Sequence, residues 1–206
     1  MDVGKLLEGA RSGDTSQLKS LLNRPDVENI CKPVDAGRNN VLHIAAKYCR
    51  TNYADEFISF LNNPTLLNHL LIQPNCKGNT PLQCAVLAGK PDFVSLLLPK
   101  MDDFGIEKKN HHGNTALHLA ASGVSNDDLE IVNMLVKKCE SVGLDRNNIG
   151  KHPLYIAAER GSLKITKCLL KFRYFPATLI GKTAKSTALH AAVARGDNQI
   201  FEEVLK

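Results

Sequence analysis

A short pattern of apolar and small residues returns six times along the chain. In each copy a leucine is followed three positions later by glycine or alanine. These leucines are Leu6, Leu42, Leu82, Leu117, Leu154 and Leu189, and they stand 35 to 40 residues apart. Apolar residues at helical spacing predict an amphipathic helix, and the small residue leaves one side of that helix almost bare. Such a helix buries little surface by itself, so we expect each copy to pack against its neighbouring copies.

A second apolar stretch follows most of these helices and completes a two-helix unit. In residues 129–136 and 163–170 the apolar positions recur every three or four residues, as they do on one face of a helix. This organisation predicts one domain over residues 1–206. Its units cover approximately residues 2–34, 35–74, 75–109, 110–146, 147–181 and 182–206. The first unit has the polar exposed side of an end cap, and the last is incomplete or uncapped.

Turn residues separate the units and start each first helix. The glycines of three Asn-x-x-Gly turns are Gly78, Gly113 and Gly150. Thr80 and Thr115 stand two residues after two of these glycines, where a hydroxyl can cap the start of the first helix. Arg38 and Lys185 stand where the other units have glycine, so we expect reshaped loops at these two positions. The connection 47–55 lacks the glycine of its counterpart and is longer, which predicts a protruding loop.

Several segments resemble ankyrin repeats, and the resemblance covers residues 6–206. They are Thr80-Pro81-Leu82, the Thr-Ala-Leu-His-Leu-Ala-Ala segment 115–121 and the Asn-x-x-Gly turns. The resemblance implies an all-α solenoid of stacked antiparallel helix pairs, with hairpin-like finger loops projecting to one side. It also implies that His43, His118 and His190 are hydrogen-bonded inside the turn network rather than acting as metal ligands or as acid–base groups. Gln83 and Tyr155 replace this histidine in two units.

Ankyrin repeats bind partner proteins along the concave side, through finger tips and exposed residues of the first helices. The resemblance therefore implies a non-catalytic scaffold for protein–protein interaction. Sequence spacing nominates residues at the finger tips and at the ends of first helices as its contact surface. These residues are Tyr48, Lys77, Asn79, His111, His112, Asn114, Lys151, Glu159 and Arg160.

The order of the repeat variants carries a narrower resemblance. Segments 153–161 and 187–193 are similar to plant ankyrin proteins of the accelerated-cell-death type, which have a multi-span membrane domain and act in defence and stress signalling. This implies a cytosolic ankyrin part whose full-length protein lies at the plasma membrane, held there by a downstream segment. The apolar stripe of Ile200, Val204 and Leu205 agrees with a continuing chain. A soluble ankyrin adaptor or a secreted bacterial effector that binds a host protein is the alternative.

The composition is that of a soluble folded protein, and its charge is spread along the chain. The net charge is +5, from 26 basic and 21 acidic residues. The densest basic group contains Lys164, Lys167, Lys171 and Arg173, which we expect helical spacing to scatter over the surface. A nucleic-acid partner is therefore disfavoured, since basic and aromatic residues are not interleaved. Six cysteines without a CxxC motif favour reduced thiols over a disulfide or zinc framework.

No catalytic, cofactor or metal site is predicted. Gly181-Lys182-Thr183 resembles the end of a phosphate-binding loop, but Pro176 stands where the motif requires glycine. Cys84 with a nearby histidine could suggest a thiol nucleophile, but no oxyanion hole and no third catalytic residue is identifiable, and we expect the thiol to be buried. His111-His112 supplies two metal ligands, which do not make a site. An enzyme is the third-ranked alternative, after the two kinds of scaffold.

Overall fold

The computed structural model describes residues 3–23, 29–30, 32–61, 63–139, 145–171 and 188–205. Fourteen α-helices lie in these ranges, and no β-strand occurs in them. The helices are α1 Val3–Ser12, α2 Leu18–Leu22, α3 Val41–Lys47, α4 Thr51–Phe60, α5 Pro64–Ile72, α6 Pro81–Leu87, α7 Pro91–Leu97, α8 Asp103–Ile106, α9 Ala116–Ala121, α10 Asn126–Lys138, α11 Pro153–Arg160, α12 Leu163–Leu170, α13 Ala188–Arg195 and α14 Asn198–Leu205. They form two compact units, residues 1–111 and 112–206. The prediction of a single domain stays a prediction.

Unit 1, residues 1–111, contains a row of first helices and a row of second helices. Helix α3 packs against α1 and α6 in the first row, while α4 packs against α2 and α7 in the second. Leu6, Leu42 and Leu82 hold equivalent buried positions in the first row. Ala45 and Ala85, three residues after two of these leucines, are also fully buried. The bare helix side predicted from the sequence is therefore the side on which neighbouring helices approach.

Unit 2, residues 112–206, repeats this arrangement. Helix α11 packs against α9 and α13, while α12 packs against α10 and α14. Leu117 and Leu154 are buried as their counterparts in unit 1 are, whereas Leu189 is half-buried. On α13 the buried residues are Ala188, Ala191 and Ala192, so this helix packs mainly through small side chains.

The second repeat contains an additional helix, α5, that the sequence pattern did not indicate. The Asn63 side chain accepts a hydrogen bond from the backbone N–H of Leu66 and thereby caps α5. Leu70 and Leu71 are fully buried. Helix α8 holds the corresponding place in the third repeat but has four residues where α5 has nine. This difference accounts for the 40-residue step from Leu42 to Leu82, the longest spacing in the chain, against 35 residues from Leu82 to Leu117.

The prediction of a protruding loop over residues 47–55 is wrong. Helix α4 begins at Thr51, so three residues join it to α3, as many as join α6 to α7. Cys49 has a φ of 58°, and Gly89 at the equivalent position has a φ of 62°. A cysteine therefore adopts the left-handed conformation for which the other repeat uses glycine.

The finger before the second repeat is likewise not reshaped by Arg38. Arg38 has a φ of 56°, and the equivalent Gly78 has a φ of 76°. The Arg38 N–H donates to the Asp35 carbonyl at 3.1 Å, as the Gly78 N–H donates to the Asn75 carbonyl at 2.9 Å. The packed repeat thus imposes the turn on a residue that disfavours it. Lys185, the other such position, lies outside the described residues.

Three first helices, α3, α6 and α9, are capped by reciprocal hydrogen bonds between the residue before the helix and its third residue, whereas α11 has no side-chain cap. In α9 the Thr115 N–H donates to His118 Nδ1 at 3.2 Å, and the Thr115 hydroxyl lies 2.8 Å from the same nitrogen. In α6 Gln83 replaces the histidine, and its Oε1 accepts from the Thr80 N–H at 2.9 Å. This bonding confirms the structural role predicted for His118. The partner expected for His190, Thr187, lies outside the described residues.

In α3 an asparagine takes the place of the capping threonine. His43 Nδ1 accepts from the Asn40 N–H at 3.1 Å, and Nε2 donates to the carbonyl of Asn79 in the next repeat at 2.8 Å. Burial lowers the pKa of His43 to about 4, although the Asn79 carbonyl and the charge of Asp35 act in the opposite direction. His43 is therefore neutral at pH 7 and joins two repeats.

The left-handed turn at Arg38 leads to a stability prediction. Arg38→Gly should raise the free energy of unfolding by about 1 kcal/mol, because glycine adopts this conformation without the steric cost paid by other residues. Ala36→Gly in the same finger is the matched control, since Ala36 has no left-handed conformation to relieve. It should be neutral or destabilising. Urea unfolding of both variants checks this, and equal changes would contradict the assignment.

The buried histidine predicts a loss of stability in acid. The pKa of His43 is lower in the folded chain than the ordinary value of 6.5, so the unfolded chain binds its proton first as pH falls. The contribution is complete above pH 6.5 and is lost towards pH 4, amounting to about 3 kcal/mol. His43→Gln, which introduces the residue found at the equivalent position 83, should make the fall in unfolding free energy between pH 7.5 and 4.5 shallower. Parallel slopes for the two proteins would refute the assignment.

Candidate functional site

The fingers of unit 1 are joined by hydrogen bonds of two kinds. Between fingers 35–39 and 75–79, the Cys76 N–H donates to the Gly37 carbonyl at 2.8 Å. The Asn75 side-chain amide donates to Asn39 Oδ1 at 3.0 Å. The same two bonds recur one repeat later, from His111 N–H to the Lys77 carbonyl at 3.2 Å and from Asn110 Nδ2 to Asn79 Oδ1 at 2.9 Å. The finger backbone is therefore a fixed platform rather than a set of independent loops.

Unit 2 has the same pair of bonds. The Asn148 N–H donates to the His112 carbonyl at 3.1 Å, and Asn147 Nδ2 donates to Asn114 Oδ1 at 2.9 Å. The asparagine that opens a finger thus bonds to the asparagine that closes the preceding one. Asn114 is half-buried in this arrangement.

A groove of about 600 Å³ lies in unit 1 beside this platform. Fingers 35–39 and 75–79 form one wall, and helices α3 and α6 with the residue after α6 form the other. Its lining residues are Asp35, Gly37, Asn39, His43, Lys47, Asn75, Cys76, Lys77, Asn79, Cys84, Leu87 and Ala88. We call it the finger groove. Its exposed side chains include Lys47, Lys77 and Leu87, the last of which is 57% exposed.

The finger groove carries charges of both signs and a neutral thiol. Burial acts to raise the pKa of the Asp35 carboxyl, but hydrogen bonds from the Asn39 side chain and from backbone N–H groups outweigh it and lower that pKa. Burial raises the pKa of the Cys84 thiol to about 11, although Lys77 and Lys47 act to lower it. At neutral pH the carboxylate is therefore charged, and the thiol keeps its proton and is a poor nucleophile.

The predicted contact residues of unit 1 differ in their exposure to solvent. Lys77 is exposed and lines the finger groove. Asn79 also lines it but is only 5% exposed, and its side chain and carbonyl are used by Asn110 and His43. The exposed position predicted for Asn79 is therefore wrong, because this residue joins repeats. Tyr48 is 41% exposed, and the Lys47 ammonium lies 5.6 Å from the centre of its ring.

His111 is exposed and contributes its N–H to the finger platform of unit 1. In unit 2, His112 and Arg160 are exposed. Lys151 and Glu159 form an ion pair with Nζ and Oε1 2.6 Å apart, and the Lys151 ammonium lies 5.0 Å from the centre of the Tyr155 ring. Lys151 and Glu159 are thus brought together, and a partner would have to compete with this pairing.

Sequence reasoning missed Lys47 and Leu87, which line the finger groove. Both stand five residues after the repeat leucine, at Leu42 and Leu82, and Glu159 holds the same position after Leu154. Extending the nomination of Glu159 to the equivalent residues of the other repeats would have found them.

A second groove, of about 340 Å³, lies in unit 2 between α10 and α12. It is lined by Leu129, Asn133, Lys164, Lys167, Cys168 and Lys171. The prediction that helical spacing scatters the basic group is wrong for its three lysines, because positions i, i+3 and i+7 lie on one side of a helix. Arg173, the fourth member of that group, lies outside the described residues. We call this the lysine groove.

In the described part of the chain, no three His, Cys, Asp or Glu side chains are grouped so that they could hold a metal ion. The described helices also include none with the length and apolar character needed to cross a bilayer.

Comparison with known proteins identifies relatives over parts of the chain. An ankyrin repeat and KH domain-containing protein of Caenorhabditis briggsae is 32% identical over 90 residues, 44% of this chain and 3% of the relative. The mouse nuclear factor NF-kappa-B p105 subunit is 29% identical over 136 residues, 66% of this chain and 13% of the relative. The human transient receptor potential cation channel subfamily A member 1 is 31% identical over 102 residues, 50% of this chain and 8% of the relative. The chain therefore corresponds to a small part of each of these proteins.

The family model described as "Ankyrin repeats (3 copies)" matches residues 6–98, 56–142 and 122–206. These matches cover nearly the whole chain and agree with the paired helices of both units. They confirm the predicted all-α ankyrin fold, and the chain belongs to the ankyrin-repeat family.

Proposed function

We propose that this chain is a non-catalytic scaffold that holds an extended segment of a partner protein in the finger groove. The observation that supports this most directly is the form of the groove. Backbone groups of its finger wall, such as the Cys76 N–H and the Gly37 carbonyl, are occupied by bonds between the repeats, while Lys47, Lys77 and Leu87 remain exposed on its walls. A rigid wall with a few exposed side chains is suited to recognition, because little entropy is lost on binding.

The chemistry of the groove indicates the kind of segment it would accept. Leu87 offers an apolar contact, and Tyr48 at the end of α3 offers an aromatic one of the kind enriched at interface hot spots. Lys47 and Lys77 can bind carboxylates of the partner, while Asp35 disfavours a segment that is acidic throughout. A partner segment with an apolar side chain flanked by one or two acidic residues fits this arrangement.

Catalysis at the finger groove is disfavoured by the state of its two most reactive groups. The Cys84 thiol has a pKa of about 11 and is therefore protonated at neutral pH. Both ring nitrogens of His43 are engaged, one with the Asn40 N–H and the other with the Asn79 carbonyl. Neither group is in a state to act as a nucleophile or as a general base.

We further propose that the chain is the cytosolic ankyrin part of a plant protein anchored in the membrane and active in defence or stress signalling. The order of repeat variants, in particular segments 153–161 and 187–193, supports this proposal. The similarity to part of a human cation channel also supports a place in a membrane protein. The alternative is a soluble ankyrin adaptor or a bacterial effector secreted into a host.

The coding sequence that follows residue 206 distinguishes these possibilities. For the membrane-anchored protein it should encode several apolar segments of about 20 residues each, the length that spans a bilayer. A polar continuation or an unrelated domain would favour the adaptor or the effector.

A peptide selection tests the finger groove. Random peptides displayed on phage should yield binders, and Leu87→Asp and Lys77→Glu should each weaken binding of a selected peptide about tenfold or more, as expected for central interface residues. Phe104→Asp is the matched control, since Phe104 is an apolar residue of unit 1 that is 64% exposed and lies outside the groove. Binding is measured by calorimetry, with thermal unfolding to verify each fold. Peptides that tolerate both groove substitutions would refute this location.

A further inference from the structure

The lysine groove is formed by second helices, so it is built from a different part of the repeat than the fingers. One wall is α12 with Lys171, the residue that follows it, and Lys164, Lys167 and Lys171 lie within a span of about 10 Å, at 1.5 Å per residue. The other wall is α10, which contributes Leu129 and Asn133. None of the lining residues is acidic.

The floor of the groove is fixed by hydrogen bonds. Cys168 Sγ donates to Asn133 Oδ1 at 3.1 Å and so joins the two helices. The Asn133 amide donates to the Leu129 carbonyl at 2.9 Å. The polar groups of the floor are therefore satisfied internally, and the lysines alone provide charge for a ligand.

Within the described residues, one carboxylate pairs with these three lysines. Lys164 Nζ donates to Asn126 Oδ1 at 3.0 Å, a bond to a neutral group. Lys167 Nζ lies 3.6 Å from Glu203 Oε2, a distance longer than a good hydrogen bond. Among the described residues, Lys171 has no carboxylate partner. Like charges three and four residues apart on a helix repel one another, so a bound anion would relieve this repulsion.

The surroundings favour a short anionic ligand over a long one. Asp127 and Asp128 stand in the first turn of α10, and Glu203 lies next to Lys167. These carboxylates would repel a nucleic-acid backbone or an anionic membrane that extended beyond the groove. The groove also has no arginine, the residue favoured where a phosphate is bound in a bidentate manner. Separate carboxylates fit three flexible ammonium groups better than one phosphate does.

We propose that the lysine groove binds a short acidic segment of a partner protein, through carboxylates of Asp or Glu residues. This contact surface is separate from the finger groove and does not depend on it. A partner could therefore occupy either surface, and each can be tested without the other.

The test uses the full chain and labelled peptides in fluorescence anisotropy. The probe is an eight-residue peptide in which Glu alternates with Ser, and the same peptide with Gln in place of Glu is the blank. The Glu peptide should bind, and the Gln peptide should not. Raising ionic strength from 50 to 500 mM should weaken binding at least tenfold, because it screens the charge pairing.

Two triple variants with the same net charge locate the binding. The combination Lys164→Gln, Lys167→Gln and Lys171→Gln should weaken binding of the Glu peptide at least tenfold. The control, Lys19→Gln, Lys90→Gln and Lys100→Gln, removes three exposed lysines of unit 1 and should change binding less than twofold. Thermal unfolding should show both variants to be folded at the temperature of the binding measurement, since all six substituted lysines are exposed. Equal weakening in both variants would show non-specific attraction and overturn the proposal.

Other ligands give the remaining outcomes. A phosphoserine peptide without Glu, a single-stranded oligonucleotide and vesicles containing anionic lipid are measured against the same two variants. If one of these ligands binds in a manner that depends on the groove lysines while the Glu peptide does not, the acidic-peptide assignment is wrong. Binding of the Glu peptide that is lost only in the groove variant supports it.

Discussion

A side chain that bonds to its own repeat and to the next one holds much of this structure together. His43 accepts from the Asn40 backbone and donates to the Asn79 carbonyl 36 residues further on. His118 bonds in the same way to Thr115 and to the Lys151 carbonyl. Each such residue accepts a hydrogen bond from the backbone N–H at the start of its helix. Without it, that N–H would lie unpaired in the interior, where an unpaired polar group is costly. The stacking of small-sided helices depends on these starts being aligned.

This constraint also decides which residues are available to a partner. Asn39, Asn79 and Asn114 accept bonds from the next finger, so their side chains are occupied within the chain. Residues five positions after the repeat leucine, such as Lys47 and Leu87, do not join fingers in this way, and they line the finger groove. Residues that join repeats and residues that stay exposed therefore alternate along the same short segments, and proximity to a finger does not by itself make a residue accessible.

The sequence allowed the family, the paired helices and the role of the motif histidine to be predicted, because these recur at a regular period. Departures from the period were harder to predict. Helix α5 and its shorter counterpart α8 follow the second helices of only two repeats, and the apolar residues of α5 could not be distinguished from a connecting segment by pattern alone. Arg38 and Cys49 adopt conformations that their residue types disfavour, because the surrounding stack determines the backbone. The residue type and spacing of Asn79 are those of an exposed finger tip. Its burial depends on the contact with Asn110 of the next finger, which sequence spacing does not show.

The bonds between fingers have a mechanical consequence. Each finger is held to its neighbour by one backbone bond and one asparagine bond, both made to the adjacent repeat. Under tension applied along either unit, the load on one junction would not be shared with distant junctions, because no long-range strand pairing spans several of the described repeats. Such a unit would extend in steps of one repeat and would recover by re-forming one junction at a time, which is the behaviour of an elastic element.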